Sequence, residues 1–146
     1  MLLAIDIGNT HIVTGLLDDA GNVLLTFRVA SNDKLTEDEY FSYLRNISKF
    51  NKIDIEKIDG MIVASVVPNL ITIFHFLGKK YFNIEPMIVN SELKKPFTFA
   101  SNLNPTGFGA DRIIDIVQSL TEYPDKNLVI FDFGSATTYE VLEKNV

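Results

Sequence analysis

The sequence has no cysteine, no tryptophan and only two histidines. Without cysteine there is no disulfide, no thiolate zinc site and no thiol nucleophile. That suits a reducing compartment, and a cytoplasmic location is expected. Positive charge is also scarce: 13 Lys and Arg against 19 Asp and Glu leave a net charge of −6. Nucleic-acid binders carry a basic patch or stripe, so no nucleic-acid partner is expected. No apolar run approaches the ~20 residues that span a bilayer, and no membrane partner is expected. Met1-Leu2-Leu3-Ala4 has no basic flank and soon meets Asp6, unlike a signal peptide. His11 and His75 stand apart, as surface or core residues do more often than ligands. Several motifs are missing too. Gly78-Lys79-Lys80 lacks the upstream glycine of a P-loop, and Arg112 occupies the last glycine position of a dinucleotide fingerprint begun by Gly107-Phe108-Gly109. Neither G-x-S-x-G nor H-E-x-x-H occurs.

What is present is a globular composition, 47% hydrophobic and 22% charged over 146 residues, enough for one domain or for one domain and the start of another. Leu2 to Ile7 reads as a fully buried strand. Ile12 to Leu17 and Val23 to Val29 form a hairpin about Asp18-Asp19-Ala20-Gly21-Asn22. Thr36-Glu37-Asp38-Glu39 is a capping box opening a helix whose Tyr40, Leu44 and Ile47 share a face. Gly60 to Val67 is a strand stopped by Pro68, which suits the first turn of the next helix, with Ile71, Phe74 and Leu77 inward. Met87 to Val89 is a short strand, and residues 92–108 a long loop with Pro96, Pro105 and Gly107. A helix from Gly109 to Glu122, a buried strand from Leu128 to Phe133 and a returning strand from Thr137 to Leu142 complete the chain. The order β-β-β-α-β-α-β-α-β-β argues for a mixed sheet covered by helices. Long loops such as 92–108 are more often functional than idle.

Three stretches carry chemistry. Ala4-Ile5-Asp6-Ile7-Gly8-Asn9-Thr10 and Ile130-Phe131-Asp132-Phe133-Gly134-Ser135-Ala136 share a plan: an apolar strand, Asp, an apolar residue, Gly and then small residues. Gly admits close backbone approach. Consecutive N–H groups with Asn, Ser or Thr side chains suit phosphate oxygens, and the Asp can hold a neutralising cation directly or through water. One copy would pass as an ordinary turn; two copies favour phosphate contact. The third stretch, Asn104-Pro105-Thr106-Gly107-Phe108-Gly109-Ala110-Asp111-Arg112, puts an Asp–Arg pair in the first turn of a helix. Arg112 can clamp a carboxylate, and Asp111 can accept the proton of a substrate hydroxyl. Asp111 also suits the helix dipole with no catalytic role.

Together these motifs resemble the type III pantothenate kinases, relatives of actin, the sugar kinases and acetate kinase. D-x-G-N-T matches Asp6 to Thr10, G-A-D-R matches Gly109 to Arg112, and D-x-G-T-A-T-T matches Asp132 to Thr138 with Ser135 in place of Thr. Thr36 to Tyr40 and Ala64 to Pro68 fit as well. The resemblance implies an α/β, ribonuclease H-like (actin-type ATPase) fold: a mixed sheet with a three-stranded meander, then alternating α and β. It implies an N-terminal lobe over residues 1–124 and the start of a second lobe over 125–146. It also implies ATP-dependent phosphorylation of pantothenate, the first step of coenzyme A synthesis. Asp6, Ile7, Gly8, Asn9, Thr10, His11, Ile12 and Val13 would line the ATP phosphates, with Ser135 also on ATP and Asp6 holding Mg²⁺ through water. Asp111 would be the general base. Asn102, Gly109, Ala110, Asp111 and Arg112 would bind pantothenate, and Asp132 a monovalent cation, K⁺ or NH₄⁺. Many family members place Tyr where Asn102 stands.

Family members are much longer and homodimeric. This chain is therefore expected to be an incomplete, inactive portion of a kinase; the alternative is a non-catalytic regulatory accessory factor of the same family.

Overall fold

The computed structural model describes residues 1–134 and 136–144. They divide into two compact units, 1–88 and 89–146. The lobe boundary expected from sequence falls later, at 124/125.

Unit 1 is built on a five-stranded sheet of β1 (Leu2–Ile7), β2 (His11–Leu17), β3 (Val23–Ala30), β4 (Gly60–Ser65) and β5 (Met87–Ile88), in the order β3-β2-β1-β4-β5. β1, β2 and β3 pair antiparallel; β4 runs parallel to β1 and β5 parallel to β4. Helix α1 (Glu37–Phe50) follows β3, and α2 (Pro68–Leu77) links β4 to β5. This is the predicted order. The capping box is present in full: the Glu39 N–H reaches Thr36 Oγ1 at 3.4 Å, and the Thr36 N–H reaches Glu39 Oε2 at 2.9 Å.

The core of unit 1 lies between one sheet face and the two helices. Leu3, Ile5, Ile7, Ile12, Leu16, Met61 and Val63 meet Tyr40, Leu44, Leu70, Phe74 and Leu77 there. Three expectations change. β1 is buried on one face only, because Leu3, Ile5 and Ile7 point to the helices while Leu2 and Asp6 stand on the exposed face. Asp6, the penultimate residue of β1, thus avoids full desolvation. In α2 the inward residue is Leu70, not Ile71, since Leu70, Phe74 and Leu77 sit at i, i+4 and i+7. β4 ends at Ser65, whose hydroxyl takes the Val67 N–H at 2.9 Å and donates to the Val67 carbonyl at 3.0 Å, turning the chain before Pro68. α2 then widens into a π-turn over Gly78–Phe82, which no sequence signal predicted. This turn stacks Tyr81 on Phe41 with 3.6 Å between ring centroids.

Unit 2 contains a short 3-10 turn (Pro105–Gly107), helix α3 (Ala110–Glu122) and an antiparallel pair, β6 (Leu128–Phe133) and β7 (Thr137–Leu142). α3 packs on both strands. Phe133 pairs with Thr137, Asp132 with Thr138, Ile130 with Glu140 and Leu128 with Leu142. β6 was expected to be buried, but only one face is covered: Val129, Phe131 and Phe133 are 58, 58 and 80% exposed.

Candidate active site

The first Asp-x-Gly turn joins the two central antiparallel strands of unit 1. The Gly8 N–H donates across it to the His11 carbonyl at 3.0 Å. Ser31, just beyond β3, fastens it from the side: its hydroxyl donates to the Gly8 carbonyl at 2.5 Å and its N–H to the Thr10 carbonyl at 2.9 Å. A Cβ on Gly8 would lie 3.2 Å from the His11 carbonyl oxygen, so the backbone fold there suits glycine. Asp6, Asn9, Thr10 and His11 are exposed around the turn, whereas Ile7 and Ile12 are fully buried. Within the 6–13 stretch, Ile7 and Ile12 therefore have only backbone to offer a ligand. Ser31 was not foreseen; no local pattern marks a serine 23 residues away as the clasp of this turn.

The second turn, in unit 2, has the same device. The Gly134 N–H donates to the Ala136 carbonyl at 3.1 Å. Ser135 lies outside the described residues. Asp132 is half-buried opposite Thr138, whose hydroxyl is buried with no hydrogen-bond partner among the described residues. Carboxylate and hydroxyl oxygens are the donor type that hard cations take. No group of three or more His, Cys, Asp or Glu able to hold a metal ion occurs among the described residues.

The third stretch opens α3. Gly109 is the N-cap, with no side-chain cap, and the Asp111 Oδ1 accepts the Arg112 N–H at 2.8 Å. Ala110 is buried, so its side chain packs rather than binds. Arg112 lies against the Phe108 ring, its guanidinium carbon 4.2 Å from the centroid. Its Nε donates to Glu140 Oε1, and its Nη2 lies 3.4 Å from the Tyr139 carbonyl oxygen. Glu140 is almost wholly buried, with 3% of its side chain exposed, and was not singled out from sequence. The one signal for it is alternation: in β7, Thr138, Glu140 and Leu142 share the inner face, and an acid there needs a cation.

Phe108, Arg112, Tyr139 and Glu140 border a cavity of about 790 Å³ between α3, β7 and the 92–108 loop, whose lining does not include Asp111. Phe97, Phe99 and Phe108 form one wall, with centroids 5.3 and 4.7 Å apart in succession. Arg112, Asp125, Lys126, Glu140, Glu143 and Lys144 bring charge to the rest of its lining. Asn102 is exposed in the turn closed by the Leu103 N–H on the Ala100 carbonyl, and does not line this cavity.

The family model for type III pantothenate kinase matches residues 2–146. The chain belongs to the type III pantothenate kinase family. It is 62% identical over 146 residues to the type III pantothenate kinase of Fusobacterium nucleatum, covering all of this chain and 57% of that protein. It is 37% identical over 145 residues to that of Elusimicrobium minutum, covering 99% of this chain and 55% of that protein. The chain therefore spans little more than half the length of these relatives. Among solved structures, a protein of Sinorhizobium meliloti, solved under the working description 2-dehydro-3-deoxygalactonokinase, aligns with a TM-score of 0.58 at 9% identity. It covers 97% of this chain and 49% of the other. The shared fold is that of the actin-type ATPases, as the sequence motifs of this type III pantothenate kinase relative implied.

Proposed function

We propose that this chain is the N-terminal portion of an enzyme that transfers the γ-phosphate of ATP to the hydroxyl of pantothenate. The carrying observation is the α3 start, where a carboxylate, Asp111, adjoins a guanidinium, Arg112, that lines a large cavity walled on one side by Phe97, Phe99 and Phe108. Such a pocket suits a small acid with an apolar body and one terminal carboxylate. Asp111 accepts the hydroxyl proton as the general base, and Arg112 takes the carboxylate. Gly109 and Ala110 offer backbone groups beside Arg112, whereas Asn102, outside the cavity lining, is given no substrate contact in this reading. The 6–13 turn receives the ATP phosphates, and Ser135 contacts the same nucleotide.

Magnesium would accompany ATP. An exposed single carboxylate such as Asp6 suits a hold through water, since Mg²⁺ keeps much of its hydration shell. The ion would neutralise phosphate charge. Asp132, with Thr138 beside it, would hold K⁺ or NH₄⁺. Phosphoryl transfer asks mainly for positioning and charge neutralisation, which these residues can provide.

The lobe boundary is placed at 124/125, so that β6 and β7 begin the second lobe; the exposed apolar face of that pair supports this reading. The full-length protein is cytoplasmic and a homodimer, and the 146-residue chain alone does not turn over. No helix among the described residues is long and apolar enough to cross a membrane. The test is ADP release by the full-length protein with pantothenate as acceptor. Asp111→Asn should lower kcat by about 10²–10⁴ while ATP binding persists. An unchanged rate would remove Asp111 from the chemistry.

A further inference from the structure

The Arg112–Glu140 pair raises a question that the proposed reaction leaves open. A buried ion pair is a weak source of stability, because desolvation offsets its attraction and apolar replacements are often as stable. This pair is also imperfect: Glu140 Oε2 is buried with no hydrogen-bond partner among the described residues, a costly state for a carboxylate. Its geometry, however, constrains the arginine on three sides. Oε1 of Glu140 takes the Nε–H, the Tyr139 carbonyl lies near Nη2, and the Phe108 ring covers one face. The guanidinium edge remote from Nε, with Nη1 and the second Nη2 proton, is the one left for a ligand.

We propose that Glu140 is the positioning residue of Arg112, fixing the guanidinium so that its Nη edge meets a ligand carboxylate in a two-pronged bond. The inference rests on the reading that Arg112 receives the substrate carboxylate. Glu140 lines the cavity with only 3% of its side chain exposed, and in this proposal it acts by orienting Arg112. A planar fork aligned in advance loses less freedom on binding than a free arginine. Orientation matters most for a bidentate partner, so the effect should fall on substrates that carry a carboxylate and spare those that do not.

The experiment uses the full-length protein and two acceptors: pantothenate and the alcohol analogue whose carboxylate is replaced by hydroxymethyl. The ratio of their kcat/KM values measures carboxylate preference. Glu140→Ala should lower this ratio about tenfold or more, through KM for pantothenate, with the alcohol analogue and KM for ATP little changed, while the melting temperature falls because Arg112 loses its buried partner. Glu140→Gln keeps an oxygen acceptor for Nε and should retain the preference within about threefold. Equal losses on both acceptors would reduce Glu140 to a folding role and overturn the proposal. So would Gln and Ala behaving alike, since charge rather than orientation would then matter. If Glu140→Ala does not fold, Glu140→Asp decides: its carboxylate is one methylene short of Nε, so a wild-type preference there overturns the proposal. Arg112→Met separates the two layers. If it leaves the preference intact, the reading of Arg112 fails and the positioning role with it. If it abolishes the preference while Glu140→Ala does not, the positioning role alone fails.

Discussion

The two units solve opposite problems. In unit 1, Leu3, Ile7, Ile12 and Leu16 are fully buried beneath helices, and the ion pairs are outside, as with Lys80 between Glu37 and Asp38. In unit 2 the ion pair Arg112–Glu140 is inside, while Val129, Phe131, Phe133, Tyr139 and Val141 are 58–80% exposed. Yet both carry the same Asp-x-Gly turn, closed by a glycine N–H on a carbonyl across the loop. Similar turns can thus be set on very different supports. Unit 1 sets its turn on a five-stranded sheet with one face covered; unit 2 sets its turn on a two-stranded pair whose outer face is exposed. Two strands alone are marginal, so the covered sheet should be the more stable support.

The contrast can be broken by substitution. Leu3→Ala in β1 should cost about 2–5 kcal/mol in urea denaturation, against about 0.5 kcal/mol for Phe131→Ser on the exposed face of β6. Equal costs would mean that this face of β6 is covered in solution. Hydrogen exchange comes next in size. Amides of β1 and β2 should be protected about a hundredfold more than those of β6 and β7; similar protection would show that the pair is no weaker than the sheet. The turns themselves should differ less. Gly8→Ala brings Cβ within 3.2 Å of a carbonyl oxygen, whereas at Gly134 nothing is nearer than 3.6 Å. The first substitution should cost about 1 kcal/mol and the second almost nothing, as thermal melts of the two variants would show.

The smallest effect concerns acid. Hydrogen bonds from Lys80 and Tyr81 hold the Asp38 carboxyl below its ordinary value. A depressed folded value gives stability above the unfolded value and loses it as pH falls below about 4. Hydrogen bonds to Asp38 and Glu37 shift Lys80 upward, so its contribution fades only in strong alkali. Asp38→Asn should therefore flatten the acid side of a melting-temperature profile slightly, and added salt should mimic it. An unchanged acid limb would deny the pair any role in unit 1.

Local signals read well from the sequence. The order of all ten strands and α-helices, the capping box at Thr36 and the hairpin turn at Asp18 follow from residues close together in the chain. What failed was the question of faces. Leu2-Leu3-Ala4-Ile5 and Leu128-Val129-Ile130-Phe131 are apolar at every position, so no alternation tells which side is covered. The candidate site divided the same way. Its turns and the Asp111–Arg112 pair are contiguous and visible, whereas Ser31 and Glu140 reach their partners across 23 and 28 residues. Alternation along β7 hints that Glu140 faces inward, but no short window reveals that Arg112 is its partner. The π-turn at Gly78–Phe82 likewise depends on packing beyond its own residues.

The register of β6 and β7 has one more consequence. Asp132 faces Thr138, Ile130 faces Glu140 and Leu128 faces Leu142, so on both strands the even-numbered positions look inward. The interior of unit 2 is in this sense encoded by parity. Substitutions in the loop between Phe133 and Thr137 leave that parity alone, but a single inserted or deleted residue there can invert it along one strand. Tyr139 and Val141 would then turn in, and Glu140 would lose Arg112 to solvent. The loop can vary in letters far more freely than in length.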